Sequence, residues 1–342
     1  VSAETAAELG RLRDAVAHEV TKDCLSRHPD WIEHYGEPAL AHGVADPRQH
    51  IDFLQAAVDL DDPSTFADYA LWCRDLLGSR GIAVEFLVKN LEAIRNELAG
   101  RLSPPAAEAV AIALRVGLEA LTAPRDLTSA DGVWLSPACR LYLAAAVSGR
   151  RTDALAVVRA ALSGGASPPD VYVDILQSAL YEVGRRWQTT ELTIAEEHMA
   201  TATTQFILSV IHEDLTHSGS HRRVAVVTGV VDELHVVGAS IIANALEADG
   251  WDVRFMGTNT PHDAIVSALE HHRATLVAIS VTMSGCVAGA RDLITQIRGS
   301  CAATPRIIVG GAAFRHDPQL WRTIGADGFA ADVRSVVELA RA

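Results

Sequence analysis

Residues 233–238 read Glu233-Leu234-His235-Val236-Val237-Gly238 and lie between an apolar run, Val224 to Val231, and a helical pattern. An imidazole placed there can bind a metal through one ring nitrogen. The acid two residues earlier takes the other nitrogen, which fixes the tautomer and raises the ring's basicity. Gly238 lets backbone come close to a large ligand. A second set lies upstream, where Trp187 is followed after nine residues by Glu197-His198. An indole offers a flat apolar wall, and a carboxylate accepts from two sugar hydroxyls. The bland alternatives are a loop histidine satisfied by water or backbone, and a solvated turn at Glu196-Glu197-His198.

These residues need elements to hold them. Val224-Ala225-Val226-Val227-Thr228, Val253 to Gly257, Leu276 to Ser280 and Arg306 to Gly310 read as strands separated by amphipathic helices. That alternation predicts a doubly wound parallel sheet over residues 221–342. Its ligand loops would gather at the strand carboxyl ends, where Glu233 to Gly238, Gly257 to Pro261, Ser280 to Gly285 and Gly310-Gly311 all fall. Residues 137–217, broken at Gly149-Arg150 and at Ser163 to Pro169, predict a helical bundle. Residues 122–136 read as a linker. Residues 1–121 are helical by spacing (Leu9, Leu12, Val16; Phe86, Leu87, Leu91, Ile94, Leu98), with Pro29, Pro38, Pro47 and Pro63 expected to cut the first half into short pieces. The fold class is thus multidomain α plus α/β.

A net charge of −14, from 43 acids against 29 bases, argues against direct nucleic-acid binding. The basic cluster His221-Arg222-Arg223 reads as a solvated linker. No apolar run reaches the roughly 18 residues a membrane span needs, and no signal segment is seen, so a cytoplasmic protein is expected. Five widely spaced cysteines with no C-x-x-C pair read as reduced thiols.

Residues 224–342 resemble the cobalamin-binding domain of corrinoid enzymes and sensors, on Glu233-x-His235-x-x-Gly238, Ser280-x-Thr282, Gly310-Gly311 and the late turn Gly325-Ala326-Asp327-Gly328. The resemblance implies that His235 becomes the lower axial ligand of cobalt in place of the cofactor's own base. The displaced tail would run beside Gly238, Ala239 and Ser240, with Ser280 and Thr282 hydroxyls near its base and Gly310 and Gly311 giving it room. Many corrinoid enzymes carry Asp where this chain has Glu233, one methylene longer. A flavodoxin-like nucleotide domain is the alternative, but G-x-G-x-x-G is missing after the first strand.

Trp187-x9-Glu197-His198 resembles the adenosylcobalamin photoreceptors that repress carotenoid genes. There the Trp packs over the adenosyl group, and the Glu and His hold its ribose and neighbouring atoms. In the best-known of these a His follows the Trp and captures cobalt after photolysis; here Gln188 stands there, so a bis-His product through this position is excluded. Residues 1–121 are acidic and helical, unlike those repressors' basic winged helix, and no DNA-binding role is carried over. The three-part architecture looks like the photocobilins, which pair adenosylcobalamin with biliverdin and change quaternary structure in light. Candidate bilin residues are His34, Tyr35, Trp72 and Arg74. A thioether through Cys24 or Cys73, and haem on His34, His42 or His50 in a globin-like domain, stay open.

The expected function is a non-enzymatic light-sensing module that uses adenosylcobalamin and biliverdin, with light-dependent homo-oligomer assembly and a downstream partner or enzyme domain. The alternatives are a corrinoid methyl-carrier of a methyltransferase system and a dark cobalamin sensor.

Overall fold

Apolar side chains recurring every three or four residues can be buried together only on helices, and the first part of the chain is built from them. The computed structural model describes residues 2–27, 37–123, 134–215, 223–301, 303–315, 317 and 319–342. The chain divides into two units, Val1–Ser129 and Ala130–Ala342.

In the first unit, helices α1 (Ser2–Arg27), α2 (Glu37–Leu60), α3 (Pro63–Ser79), α4 (Val84–Leu98) and α5 (Pro104–Thr122) bury Leu9, Val16, Ile51, Leu54, Phe66, Leu91, Ile94 and Leu114. Pro63 starts α3 behind Asp62, whose side chain accepts from the Ser64 amide. Pro47 corrects the sequence expectation: it lies inside α2 and does not cut it. Proline has no N–H to offer the carbonyl four residues earlier. The hydroxyl of Thr21 on α1 reaches that carbonyl, Gly43 O, and also Ala17 O on its own helix at 2.7 Å, so its one proton serves either acceptor.

In the second unit, α6 (Pro137–Val147), α7 (Arg151–Ser163), a π-helical segment Val171–Gln177 running into α8 (Ser178–Gln188), and α9 (Ile194–Leu215) precede the sheet. Glu196, Glu197 and His198 are in the first turns of α9, not in a solvated turn. The strands are β1 (Val224–Gly229), β2 (Asp252–Phe255), β3 (Leu276–Ser280), β4 (Arg306–Gly310) and β5 (Gly328–Ala330). All pairs are parallel, in the order β2-β1-β3-β4-β5. Helices α10 (Val236–Ala248), α11 (His262–His272), α12 (Val287–Ser300), α13 (Leu320–Thr323) and α14 (Val333–Arg341) connect and close it. The sequence reading named four strands. Gly328, read there as part of a turn, opens the fifth, which pairs with β4 at Ile308↔Gly328.

Helices α6 to α9, together called the cap, share one core with the sheet. Tyr142, Tyr172, Ile207 and Ile211 of the cap belong to the same buried cluster as Val227, Ala239, Leu246, Ala278 and Val336. Polar ties reinforce it: Arg334 on α14 reaches Asp170 at 2.7 Å and Asp174 at 2.8 Å, and Asn244 on α10 donates to Leu208 O at 3.2 Å. Among the described residues no helix is long and apolar enough to cross a membrane. The five cysteines are free thiols.

Candidate cofactor site

Sheet register brings the chemistry together. Gly229 pairs with Ser280 and Ser280 with Gly310, so three strands end level and their loops lie side by side. In the first loop Asp232 takes a left-handed φ of 66° and its amide donates to Asn259 Oδ1 at 2.9 Å. That turn sends Glu233 inward, where its side chain is wholly buried.

Both carboxylate oxygens of Glu233 are used. Oε1 accepts from the His235 amide at 2.9 Å and from His235 Nδ1 at 2.7 Å. Oε2 accepts from the amides of Thr282 at 2.6 Å and Met283 at 3.2 Å. One acid therefore orients the imidazole and ties its loop to the loop after β3. The longer Glu side chain reaches both partners. Burial pushes Glu233 up, but the bonds from His235 and Thr282 outweigh it and hold the carboxyl below its ordinary range. His235 is raised by its bond to Glu233 against the effect of burial, with further help from the charges of Glu233 and Glu197.

With Nδ1 committed to Glu233, ligation by His235 falls to Nε2. Its side chain is 53% exposed, and Val231 and Leu234 beside it are exposed apolar residues. A borderline-soft metal in a broad apolar macrocycle suits such a donor and such a surface. Gly238 opens α10 against β3, where an added Cβ would stand 3.5 Å from Ser280 Oγ. Ser280 is buried, while Ser240 Oγ donates to Val236 O at 3.0 Å along its own helix. The glycine pair has a reason besides ligand clearance. A Cβ on Gly310 would come within 2.7 Å of Ala330 O, and one on Gly311, at φ 118°, within 2.1 Å of Val281 O. These loops pack too tightly for any side chain there.

The helices before the sheet carry the second set of residues. Trp187 is half-buried in the last turn of α8, followed by half-buried Gln188. In the first turns of α9, Glu197 Oε1 accepts from Thr201 Oγ1 at 2.9 Å and Oε2 accepts from His198 Nδ1. His198 is 75% exposed. The charge of Glu197 adds to the raised basicity of His235, behind the larger effect of Glu233. Arg315, after Gly311, lies 4.0 Å over the ring of Tyr181 on α8, and Tyr181 Oη accepts from Gln177 at 2.9 Å.

Sequence reasoning missed Glu182. This buried acid of α8 binds Arg185 and Arg186. Its i,i+3 and i,i+4 spacing to those arginines was a readable signal. Of the basic cluster, Arg223 stacks 4.3 Å over Trp251, and residues 221 and 222 lie outside the described residues.

Of the four bilin candidates, Trp72 and Arg74 are among the described residues. His34 and Tyr35 lie outside the described residues, as does the side chain of His42. Trp72 stacks 6.2 Å from Tyr69, and Arg74 pairs with its neighbour Asp75 at 3.1 Å. Tyr69 itself stacks 3.8 Å from Phe53 and shares a 2.8 Å hydrogen bond with buried His50 Nδ1.

Residues 223–339 match a family model described as B12 binding domain, and residues 139–212 match a second model of that description. The first spans the sheet and the second the cap, and together they imply a cobalamin cofactor. Dimethylamine corrinoid protein 1 of Methanosarcina acetivorans is 25% identical over 206 residues, 58% of this chain and 94% of that protein. The HTH-type transcriptional repressor CarH of Myxococcus xanthus is 29% identical over 167 residues, 48% of this chain and 54% of that protein. The monomethylamine corrinoid protein of Methanosarcina barkeri, 18% identical, superposes with a TM-score of 0.52 over 58% of this chain and 94% of that one, a likeness of fold.

Proposed function

We propose that this cobalamin-binding chain is a light-sensing signalling module, not an enzyme, that holds adenosylcobalamin between the sheet and the cap. Bound adenosylcobalamin supplies a cobalt–carbon bond that light can break. What supports the reading is His235, oriented by the wholly buried Glu233, in the same unit as an indole and an acid ten positions apart, Trp187 and Glu197. His235 would bind cobalt from below through Nε2, held by Glu233. Ser280, Thr282, Gly238, Gly310 and Gly311 would border the tail. Trp187 would lie against the adenine-bearing group and Glu197 would accept from its sugar hydroxyls, with exposed His198 beside it. These contacts exist only while the adenosyl group is present. Light and dark states therefore differ in interaction energy, which a switch requires.

In this reading biliverdin is a second chromophore of the first unit, supported by the aromatic residues around Trp72 and by nearby Arg74. Copies of the chain would associate in a light-dependent way and pass the signal to a partner. The test is an absorption spectrum of protein purified in darkness with adenosylcobalamin and biliverdin, before and after green light. A cobalamin change plus a separate red band is expected, and a light-stable corrinoid spectrum would refute the sensor. The alternative, a methyl-carrier, is favoured by the likeness to the dimethylamine corrinoid protein along nearly its whole length. It predicts binding of methylcobalamin at least as tight as that of adenosylcobalamin.

A further inference from the structure

We propose that Glu182 is a positioning residue that makes the upper face selective for a nucleoside-sized ligand, an inference that rests on the adenosyl reading above. Glu182 is 7% exposed, on α8 between buried Ala179 and Val183 and about a turn before Trp187. Its Oε2 accepts from Arg185 Nε at 2.8 Å, and its Oε1 from Arg185 Nη2 at 2.8 Å and Arg186 Nε at 2.6 Å. Arg185 then extends Nη1 to Glu191 Oε1 at 2.9 Å, and Thr189 Oγ1 donates to the same oxygen at 2.7 Å. The amides of Glu191 and Leu192 return to Arg186 O at 2.8 and 3.1 Å. Thr193 and Glu196 then cap α9 through bonds of 2.8 Å from the Thr193 amide and 3.2 Å from the Glu196 amide.

The stretch from Trp187 to Glu197 is thus pinned along its length, and its anchor is the buried carboxylate. Without that carboxylate, two adjacent guanidiniums repel in the last turn of α8 and the turn that follows loses its root. The separation of the indole from the Glu197 carboxylate is therefore set before any ligand arrives. Such preorganisation favours a ligand that touches both groups, a flat heterocycle joined to a vicinal diol. A methyl or hydroxyl group is too small to span them and gains nothing from the clamp.

The experiment titrates the full chain in darkness with adenosyl-, methyl- and hydroxocobalamin, followed by absorbance, for the parent protein and for Glu182→Gln and Arg186→Gln. The parent is expected to prefer adenosylcobalamin. Glu182→Gln is expected to weaken adenosylcobalamin about tenfold more than the other two, with the His235-ligated spectrum unchanged. Arg186→Gln removes one arm of the clamp, leaves the carboxylate paired with Arg185, and should give a smaller selective loss should the first variant fold poorly. Equal weakening of all three cobalamins, or no change, in a folded variant would overturn the positioning role. A parent protein without any preference for adenosylcobalamin would instead sink the adenosyl reading itself.

Discussion

Glu233 is fully buried, and its four accepted hydrogen bonds make it the joint between the histidine loop and the loop after β3. Replacing it by Gln keeps the shape but removes the charge that makes His235 Nδ1 a donor. Cobalamin affinity should fall about 10- to 100-fold in an absorbance titration, the usual effect of losing a ligand's orienting partner, and an unchanged affinity would refute the role. His235→Ala should abolish the lower-face imidazole signature altogether. Two other buried groups predict acid behaviour. Burial depresses His50 from 6.5 to about 4, so the unfolded chain binds its proton first. Stability is full above pH 6.5 and declines as pH falls toward 4, by about 3 kcal/mol at most. Urea unfolding of His50→Gln should lose that slope. Glu182 is depressed from 4.5 to about 2, chiefly by Arg185, so its contribution is present above pH 4.5 and lost as pH falls toward 2.

Among the elements, Pro47 shows where local rules stop. Proline forbids one helix bond, and the carbonyl it leaves, Gly43 O, meets the hydroxyl of Thr21, far away in sequence on α1, which also reaches Ala17 O. Thr21→Val keeps the shape and leaves Gly43 O without that donor; a loss of about 1–3 kcal/mol in chemical unfolding is expected. The site loops were legible because β1, β3 and β4 are apolar runs ending at glycine or serine, features a chain displays locally. β5 was not, since Gly328, Phe329 and Ala330 show no periodicity and become a strand only beside β4. The Glu182 clamp was hidden for a related reason: adjacent arginines read as surface charge until the burial of their partner is known.

On the scale of the whole molecule, a cap and a sheet that looked like separate segments share one core in Ala130–Ala342. Their unity was not legible, because it depends on which faces of the helices meet. A fragment of residues 130–342 should therefore bind cobalamin with the spectrum of the full chain, and failure of a folded fragment to do so would assign cofactor binding to both units. Arg334→Ala removes the tie to Asp170 and Asp174 but not the shared core. It should loosen cofactor retention on dilution without unfolding the protein.

The segment Val171–Gln177 winds as a π-helix, the Ser178 amide reaching back five residues to Val173 O. In an ordinary α-helix, deleting one residue turns everything downstream by about 100°. A π turn carries one residue more than an α turn, so it holds a spare. Excising a single residue there should relax the winding to α and leave Trp187 facing as before. The same excision a few residues later, within Ser178–Gln188, would swing the indole out of the site.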